Sequence, residues 1–315
     1  MEYNFISFTK SYLARAFVTK CLAATESEGQ NLPETFQQAI KCEKSNEWKK
    51  SMREEIKSIL KNKTWELVAT PKSEHKVIQG KWVYRTKTDL KGKISKYKSR
   101  WVVRGFQQEE GYNFTDTFAC VVKPMSYKIL FSIAASLNLD IQQMDVKTAF
   151  LNSPIHEEVF VEQPHGFEVE NLTEETNLKN DLFNQQNTSP LEALNYPKEK
   201  KSKVSLVCKL QRALYGLKQA PRAWYETLLD FMQNTNLFPL KSDYAVFANQ
   251  KKTLFVAVYV DDILIFGNNT IDINNLKTKL QQRFDMTDMG SAHMYLGMQI
   301  TRDRLSHQIV LDQRK

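Results

Sequence analysis

Cysteine is scarce in this chain of 315 residues: Cys21, Cys42, Cys120 and Cys208 lie far apart, with no C-x-x-C pair. That spacing excludes a zinc ribbon and a disulfide framework, and it points to a reducing compartment. The five histidines show neither H-E-x-x-H nor finger spacing. Ten glycines and nine prolines are too few for a collagenous or low-complexity chain. The longest unbroken apolar run, Leu254 to Val260, is far short of the ~18 residues a membrane span needs. Lys10, Arg15 and Lys20 interrupt the N-terminus, so there is no signal-peptide core. Secretion, a membrane partner and a structural zinc are not expected.

What the chain has in excess is positive charge, and most of it lies in one place. Lys plus Arg number 44 against 36 Asp plus Glu, a net +8 with a pI near 9.1. Between Lys76 and Arg104 stand ten basic residues and one acid, Asp89. That one segment exceeds the charge of the whole chain, as expected of a surface that binds a polyanion. An apolar content of 42% and a charged content of 25% describe a globular chain of about two domains.

Residues 1–36 lack a clear period and read as a leader or linker. Ser45 offers an N-cap with Glu47 in the first turn, and Trp48, Met52, Ile56 and Leu60 follow at helical spacing. From Lys81 the period changes to two. Asp89-Leu-Lys-Gly-Lys93 supplies turn chemistry, and Ile94 to Arg104 alternates again, which predicts a basic hairpin over 81–104. Lys96, Lys98 and Arg100 share one face of the returning strand, tolerable if phosphate neutralises them. A lysine-rich edge that protects a strand from aggregation is the plainer reading. Ile129, Leu130, Ile133, Ala134 and Leu137 suggest a buried helical stripe, with a β-leaning segment from Ile141 to Phe150 after it. Residues 168–203 are polar and aperiodic, as in a surface insertion. Then come a strand to Leu210, a turn and helix from Tyr215 to Met232, a hairpin, a helix over Ile273–Phe284 and a strand over Met294–Thr301. Hairpins and helices without a βαβ rhythm argue for an α+β fold.

Chemistry concentrates in Leu254–Phe266, where two apolar strands flank Asp261 and Asp262. Adjacent like charges ~4 Å apart repel by roughly 4 kcal/mol even at an effective dielectric of 20. Protonation or a divalent metal relieves this, and an acidic hairpin tip facing water is the structural alternative. Asp145 ends another apolar strand in an otherwise acid-free stretch. If that strand pairs beside the hairpin, three carboxylates converge into a hard-oxygen site suited to two magnesium or manganese ions.

Tyr259-Val-Asp-Asp262, Gln143-Met-Asp-Val-Lys-Thr-Ala-Phe-Leu-Asn152 and Leu214-Tyr-Gly-Leu-Lys-Gln-Ala-Pro-Arg-Ala-Trp224 together resemble a copia-type retrotransposon reverse transcriptase. The Lys81-Trp-Val-Tyr-Arg85 hairpin, Tyr97-Lys-Ser-Arg100, Gly105-Phe-Gln-Gln108, Gln163-Pro-His-Gly-Phe167 and Tyr295-Leu-Gly297 fit the same family, from about Leu32 onwards. The resemblance implies a right-hand polymerase fragment of a Pol polyprotein, copying RNA or DNA templates from a DNA primer with dNTP substrates. It implies fingers over 37–130, a palm over 131–300 built on an antiparallel sheet with helices, a nucleotide-closing turn at 214–224, and only the start of a thumb at 301–315. Asp145, Asp261 and Asp262 would be the catalytic, metal-binding triad, with the Val146 carbonyl as a further ligand. Lys87, Lys98 and Arg100 would grip the triphosphate. Phe150 would lie beneath the sugar and exclude a 2′-hydroxyl. Tyr215, Gly216 and Lys218 would close on the nucleotide. Tyr259, Pro221, Leu296 and Gly297 would meet primer or template, the last two in the primer grip. The setting would be intracellular, in a cytoplasmic particle or the nucleus.

Ser153 stands where the family commonly has glycine, and the 168–203 insertion is longer than its pattern. A complete thumb, a connection region and ribonuclease H are expected to be missing, which puts processive synthesis in doubt. The competing reading is a catalytically idle remnant or co-opted protein that only binds nucleic acid. A palm-type nucleotide cyclase has no use for the basic hairpin or for Tyr215 to Pro221.

Overall fold

A computed structural model describes residues 32–71, 75–88, 93–170 and 205–313. The leader up to residue 31, the turn at 89–92 and most of the polar insertion lie outside the described residues. In chain order the first elements are α1 (Phe36–Lys41), α2 (Ser45–Lys61), β1 (Trp65–Ala69), β2 (Val77–Ile78), β3 (Gly80–Thr88) and β4 (Ile94–Val103). Next come α3 (Pro124–Ser136), β5 (Asp140–Val146), β6 (Phe160–Val161), β7 (Leu206–Leu210) and α4 (Ala220–Asn234). Then follow β8 (Phe238–Leu240), β9 (Asp243–Ala248), β10 (Leu254–Tyr259), β11 (Asp262–Gly267) and α5 (Thr270–Arg283). The last are β12 (Met286–Ser291), β13 (Met294–Tyr295), β14 (Met298–Asp303) and β15 (Gln308–Asp312). The chain divides into two units, one from Met1–Phe118 with Ser153–Ala220, the other from Ala119–Asn152 with Pro221–Lys315.

In the first unit, α1 opens on a capping box: Thr35 Oγ1 accepts from the Gln38 amide, and Gln38 Oε1 accepts from the Thr35 amide. The expected helix follows as α2, but Ser45 is its first helical residue rather than its cap, and Lys44 at the cap makes no side-chain bond. Trp48, Met52 and Ile56 are buried as the spacing predicts, whereas the last turn buries Ile59, not Leu60. Steps of four residues overrun a 3.6-residue turn, so the strict series rotates off the buried face. Strands β1, β7, β6 and β2 form one sheet in that order, with only β2 and β6 parallel among its pairs. The hairpin β3–β4 stands as its own ribbon.

The second unit is built on an antiparallel sheet ordered β12-β5-β11-β10-β9-β8. Its central strands, Val256–Val258 and Ile263–Phe266, are buried on both faces, hence their unbroken apolar runs. Leu130, Phe131 and Ala134 of α3 join the core with Ile141, Leu264 and Phe266, and Phe131 meets Phe266 edge-on at 5.5 Å. The stripe expected on α3 is corrected: Ile129 and Leu137 are exposed, and Tyr127 takes the inward place. This helix is apolar on more than one side, so period alone could not choose the face. The turn and helix expected over Tyr215 to Met232 are a turn followed by α4 from Ala220. One more expectation is corrected here. Met294–Thr301 is not one strand but a hairpin, with Leu296 and Gly297 as a two-residue turn at φ 49° and 78°. Strand β15 then returns along β14. The Arg302 guanidinium donates to the carbonyls of Leu139 and Ala134, satisfying acceptors at the end of α3.

Candidate active site

Strand β10 turns into β11 through Val260 and Asp261, and Asp262 opens β11 opposite Tyr259. Strand β5 pairs with the other edge of β11, and the register sets Asp145 directly across from Asp262. The Val146 amide donates to the Asp261 carbonyl at 2.9 Å. Strand register thus places three carboxylate residues from two distant segments at one end of the sheet, each half-buried. Acids nearby are engaged by lysines: Lys147 meets Asp285 at 2.9 Å, and buried Lys277 meets Asp288 at 2.9 Å and the Gln142 side chain at 2.7 Å. Among the described residues, no three His, Cys, Asp or Glu side chains are gathered into a metal cage. The donor type nonetheless suits a hard divalent cation, since every candidate ligand is an oxygen.

The turn that presents Asp261 is strained. Val260 sits at φ 58°, a region costly for a β-branched residue. The Trp224 indole N–H donates to the Val260 carbonyl at 2.7 Å and holds the turn there. Trp224 is itself anchored on Phe284, with ring centroids 5.2 Å apart. Phe150 follows β5 in a short 3-10 turn over Ala149–Asn152 and is only 2% exposed, so its burial matches a core aromatic.

In the first unit, the register of β3–β4 sorts the hairpin into two faces. Trp82, Tyr84, Thr86, Tyr97, Ser99 and Trp101 lie on one face, with Trp82 and Trp101 edge-on at 5.4 Å and Trp48 of α2 packed on Tyr84 and Tyr97. The other face carries Arg85 opposite Lys98, Lys87 opposite Lys96, and Arg100. With Lys81, which shares their side of β3, the cationic face holds six basic side chains. Alternation along β3 already puts Arg85 on the side of Lys87; what needs the cross-strand register is its place opposite Lys98.

Helix α2 covers the free edge of β4. Ser51 Oγ accepts from the Ser99 amide at 2.7 Å, and one turn later the Glu55 carboxylate accepts from the Trp101 amide. The plainer expectation, lysines guarding a bare edge, is thus replaced by helix side chains that take up the edge amides. Glu55 is 7% exposed, and its Oε1 has no hydrogen-bond partner. Burial pushes its carboxyl from 4.5 up to about 7, against the pull of Arg100 and Lys98. Nothing in the sequence alone marked Glu55, which sits in an ordinary run of lysines and glutamates.

Arg100 lies over the Tyr215 ring at 4.0 Å, and the Tyr215 carbonyl accepts from the Val103 amide at 2.7 Å. Gly216 has φ 94°, and a Cβ there would meet the Val103 carbonyl oxygen at 2.0 Å, so only glycine fits this approach. Lys218 is drawn inward: its ammonium donates to the Gln108 carbonyl and lies 4.4 Å from the Phe114 ring centroid. Pro221 is in the first turn of α4, and Tyr259 packs half-buried against the core.

Residues 62–188 and 194–313 match the family described as reverse transcriptase (RNA-dependent DNA polymerase). The chain belongs to that family. The retrovirus-related Pol polyprotein from transposon TNT 1-94 of Nicotiana tabacum is 37% identical to this reverse transcriptase domain over 286 residues, 90% of this chain and 19% of the polyprotein. The corresponding polyprotein from transposon RE1 of Arabidopsis thaliana is 34% identical over 281 residues, 89% of this chain and 17% of its own length. The chain spans less than a fifth of the length of either relative. Apo telomerase from Candida tropicalis, truncated from the C-terminal domain, shares 12% identity over 84% of this chain and 60% of that chain, at a TM-score of 0.40 that supports no further conclusion. Among the described residues, no helix is long and apolar enough to cross a membrane.

Proposed function

We propose that this chain is the polymerase portion of a retrotransposon Pol polyprotein, joining deoxynucleotides to a primer 3′-hydroxyl on an RNA or DNA template. The observation that carries the proposal is the pairing of Asp145 with Asp262, with Asp261 tied to Val146, in a chain of this family. In this reading the unit with the six-stranded sheet is the palm and the unit with the basic hairpin is the fingers. Two divalent cations, magnesium or manganese, would activate the attacking oxygen and offset charge on the departing pyrophosphate. Asp145, Asp261 and Asp262 would hold them, with the Val146 carbonyl as a further hard oxygen. The strained turn at Val260 keeps Asp261 at the end of the sheet, and the β5–β11 ladder fixes the separation of the other two. Lys87, Lys98 and Arg100, joined by Arg85, offer cations to the triphosphate and the nucleic-acid backbone. Phe150 would screen the sugar, Tyr215, Gly216 and Lys218 would form the turn toward the nucleotide, and Tyr259, Pro221, Leu296 and Gly297 would touch primer or template.

Primer extension tests this directly. With magnesium, an RNA template and a DNA primer, the wild-type chain is expected to extend the primer. Asp261→Asn or chelation of the metal should abolish extension and leave nucleic-acid binding intact. Equal inertness of wild type and variant, with salt-sensitive binding retained, would instead identify a remnant that only binds nucleic acid.

A further inference from the structure

The cationic face of the β3–β4 hairpin has a buried acid behind it. Ser51 and Glu55, one turn apart on α2, take up the amides of Ser99 and Trp101, the residues on either side of Arg100. The helix therefore fixes the backbone that carries Lys98 and Arg100, and Tyr215 fixes the far side of the Arg100 guanidinium. One oxygen of Glu55 is accounted for by the Trp101 amide, while Oε1 is sealed from water without a hydrogen-bond donor. A buried acceptor left in that state costs about 1–3 kcal/mol, more for a charged group. A proton on Glu55 relieves that cost.

We propose that Glu55 is a positioning residue for the nucleotide phosphates, and that phosphate binding at Lys98 and Arg100 is coupled to uptake of a proton by Glu55. This rests on the reading above that these two cations bind the triphosphate. Ionised, Glu55 neutralises part of the charge that Lys98 and Arg100 offer and repels an incoming phosphate; protonated, it offsets neither cation. Reciprocally, a bound phosphate answers the two cations and removes the field that keeps Glu55 ionised. Burial places the carboxyl near half-titration at neutral pH, where this exchange is felt most. Charged groups facing it come from β4, namely Lys98 and Arg100. Of the titratable groups on the other packed elements, Tyr84 of β3 is held neutral by burial and donates to Met52 Sδ, and Cys42 ends α1 beside it.

The experiment uses the full chain on an RNA template with a dideoxy-terminated DNA primer and magnesium. The matching dNTP is titrated calorimetrically at pH 7 in two buffers of different ionisation heat. Wild type is expected to take up a fraction of a proton per nucleotide bound, and Glu55→Gln none. With an extendable primer, the dNTP KM of wild type should rise about fivefold more than that of Glu55→Gln between pH 6.5 and 8, with the kcat profiles parallel. Ser51→Ala removes the neighbouring edge contact without touching charge and should keep the wild-type profile. No proton uptake by wild type, or parallel KM profiles for wild type and Glu55→Gln, overturns the proposal. Nucleotide affinity unchanged in Arg100→Ala overturns the triphosphate assignment beneath it, a different failure with a different signature.

Discussion

Burial raises the Glu55 carboxyl from 4.5 to about 7, which makes folding sensitive to pH. Between those values the folded chain binds more protons than the unfolded chain, so stability falls as pH rises. The contribution is full below about 4.5 and lost above about 7, and its size is on the order of 3 kcal/mol. Urea unfolding at pH 5 and pH 8 should show this slope in wild type, whereas Glu55→Gln flattens it and is the more stable of the two at pH 8. Phe150 raises a different question at the same scale, because a ring 2% exposed is both a candidate sugar gate and a core aromatic. Phe150→Val is expected to lower stability by about 1–3 kcal/mol through the cavity it leaves. It should also admit ribonucleotides in extension assays. Lower stability with unchanged sugar selectivity would leave Phe150 as core alone.

At the scale of elements, the β10–β11 turn is held in a conformation its own sequence disfavours. Val260 keeps φ 58° while the Trp224 indole bonds its carbonyl. Trp224→Phe removes that donor and leaves most of the ring packing. The expected result is a loss of about 1 kcal/mol in stability and a fall of at least tenfold in extension rate, with template–primer affinity unchanged. An unchanged rate would show that the turn keeps its shape without the indole. The acidic pair was legible in the sequence because two apolar runs flank it. The strain was not, since it needs a partner 36 residues away. The face of α3 was misread for a related reason: both Ile129 and Tyr127 head plausible apolar rows, and only the sheet beneath selects one.

For the whole molecule, the candidate site residues are divided between the two units: Asp145, Asp261 and Asp262 belong to one and the cationic hairpin to the other. A cationic face of six side chains should make template–primer binding strongly salt-dependent. The logarithm of affinity should fall with the logarithm of salt concentration, by about 0.9 per phosphate neutralised on duplex. Arg85→Ala should reduce that slope by about 1 in a fluorescence-anisotropy salt titration, with no change in which sequences are bound. An unaltered slope would remove the opposite strand from the nucleic-acid surface.

Local pattern was enough to establish the basic hairpin, the α+β character and the acidic turn, because alternation, turn residues and clustered charge act between near neighbours in the chain; the family was legible only through the resemblance of its motifs. Tertiary structure alone decided that Asp145 faces Asp262, that Arg85 joins Lys98, that the edge of β4 is taken up by Ser51 and Glu55, and that Leu296 and Gly297 make a turn. Each of these depends on strand register or on a helix docking against a distant strand. A one-residue slip in register would move the side chains of the slipped strand to the opposite face without changing the sequence that encodes them.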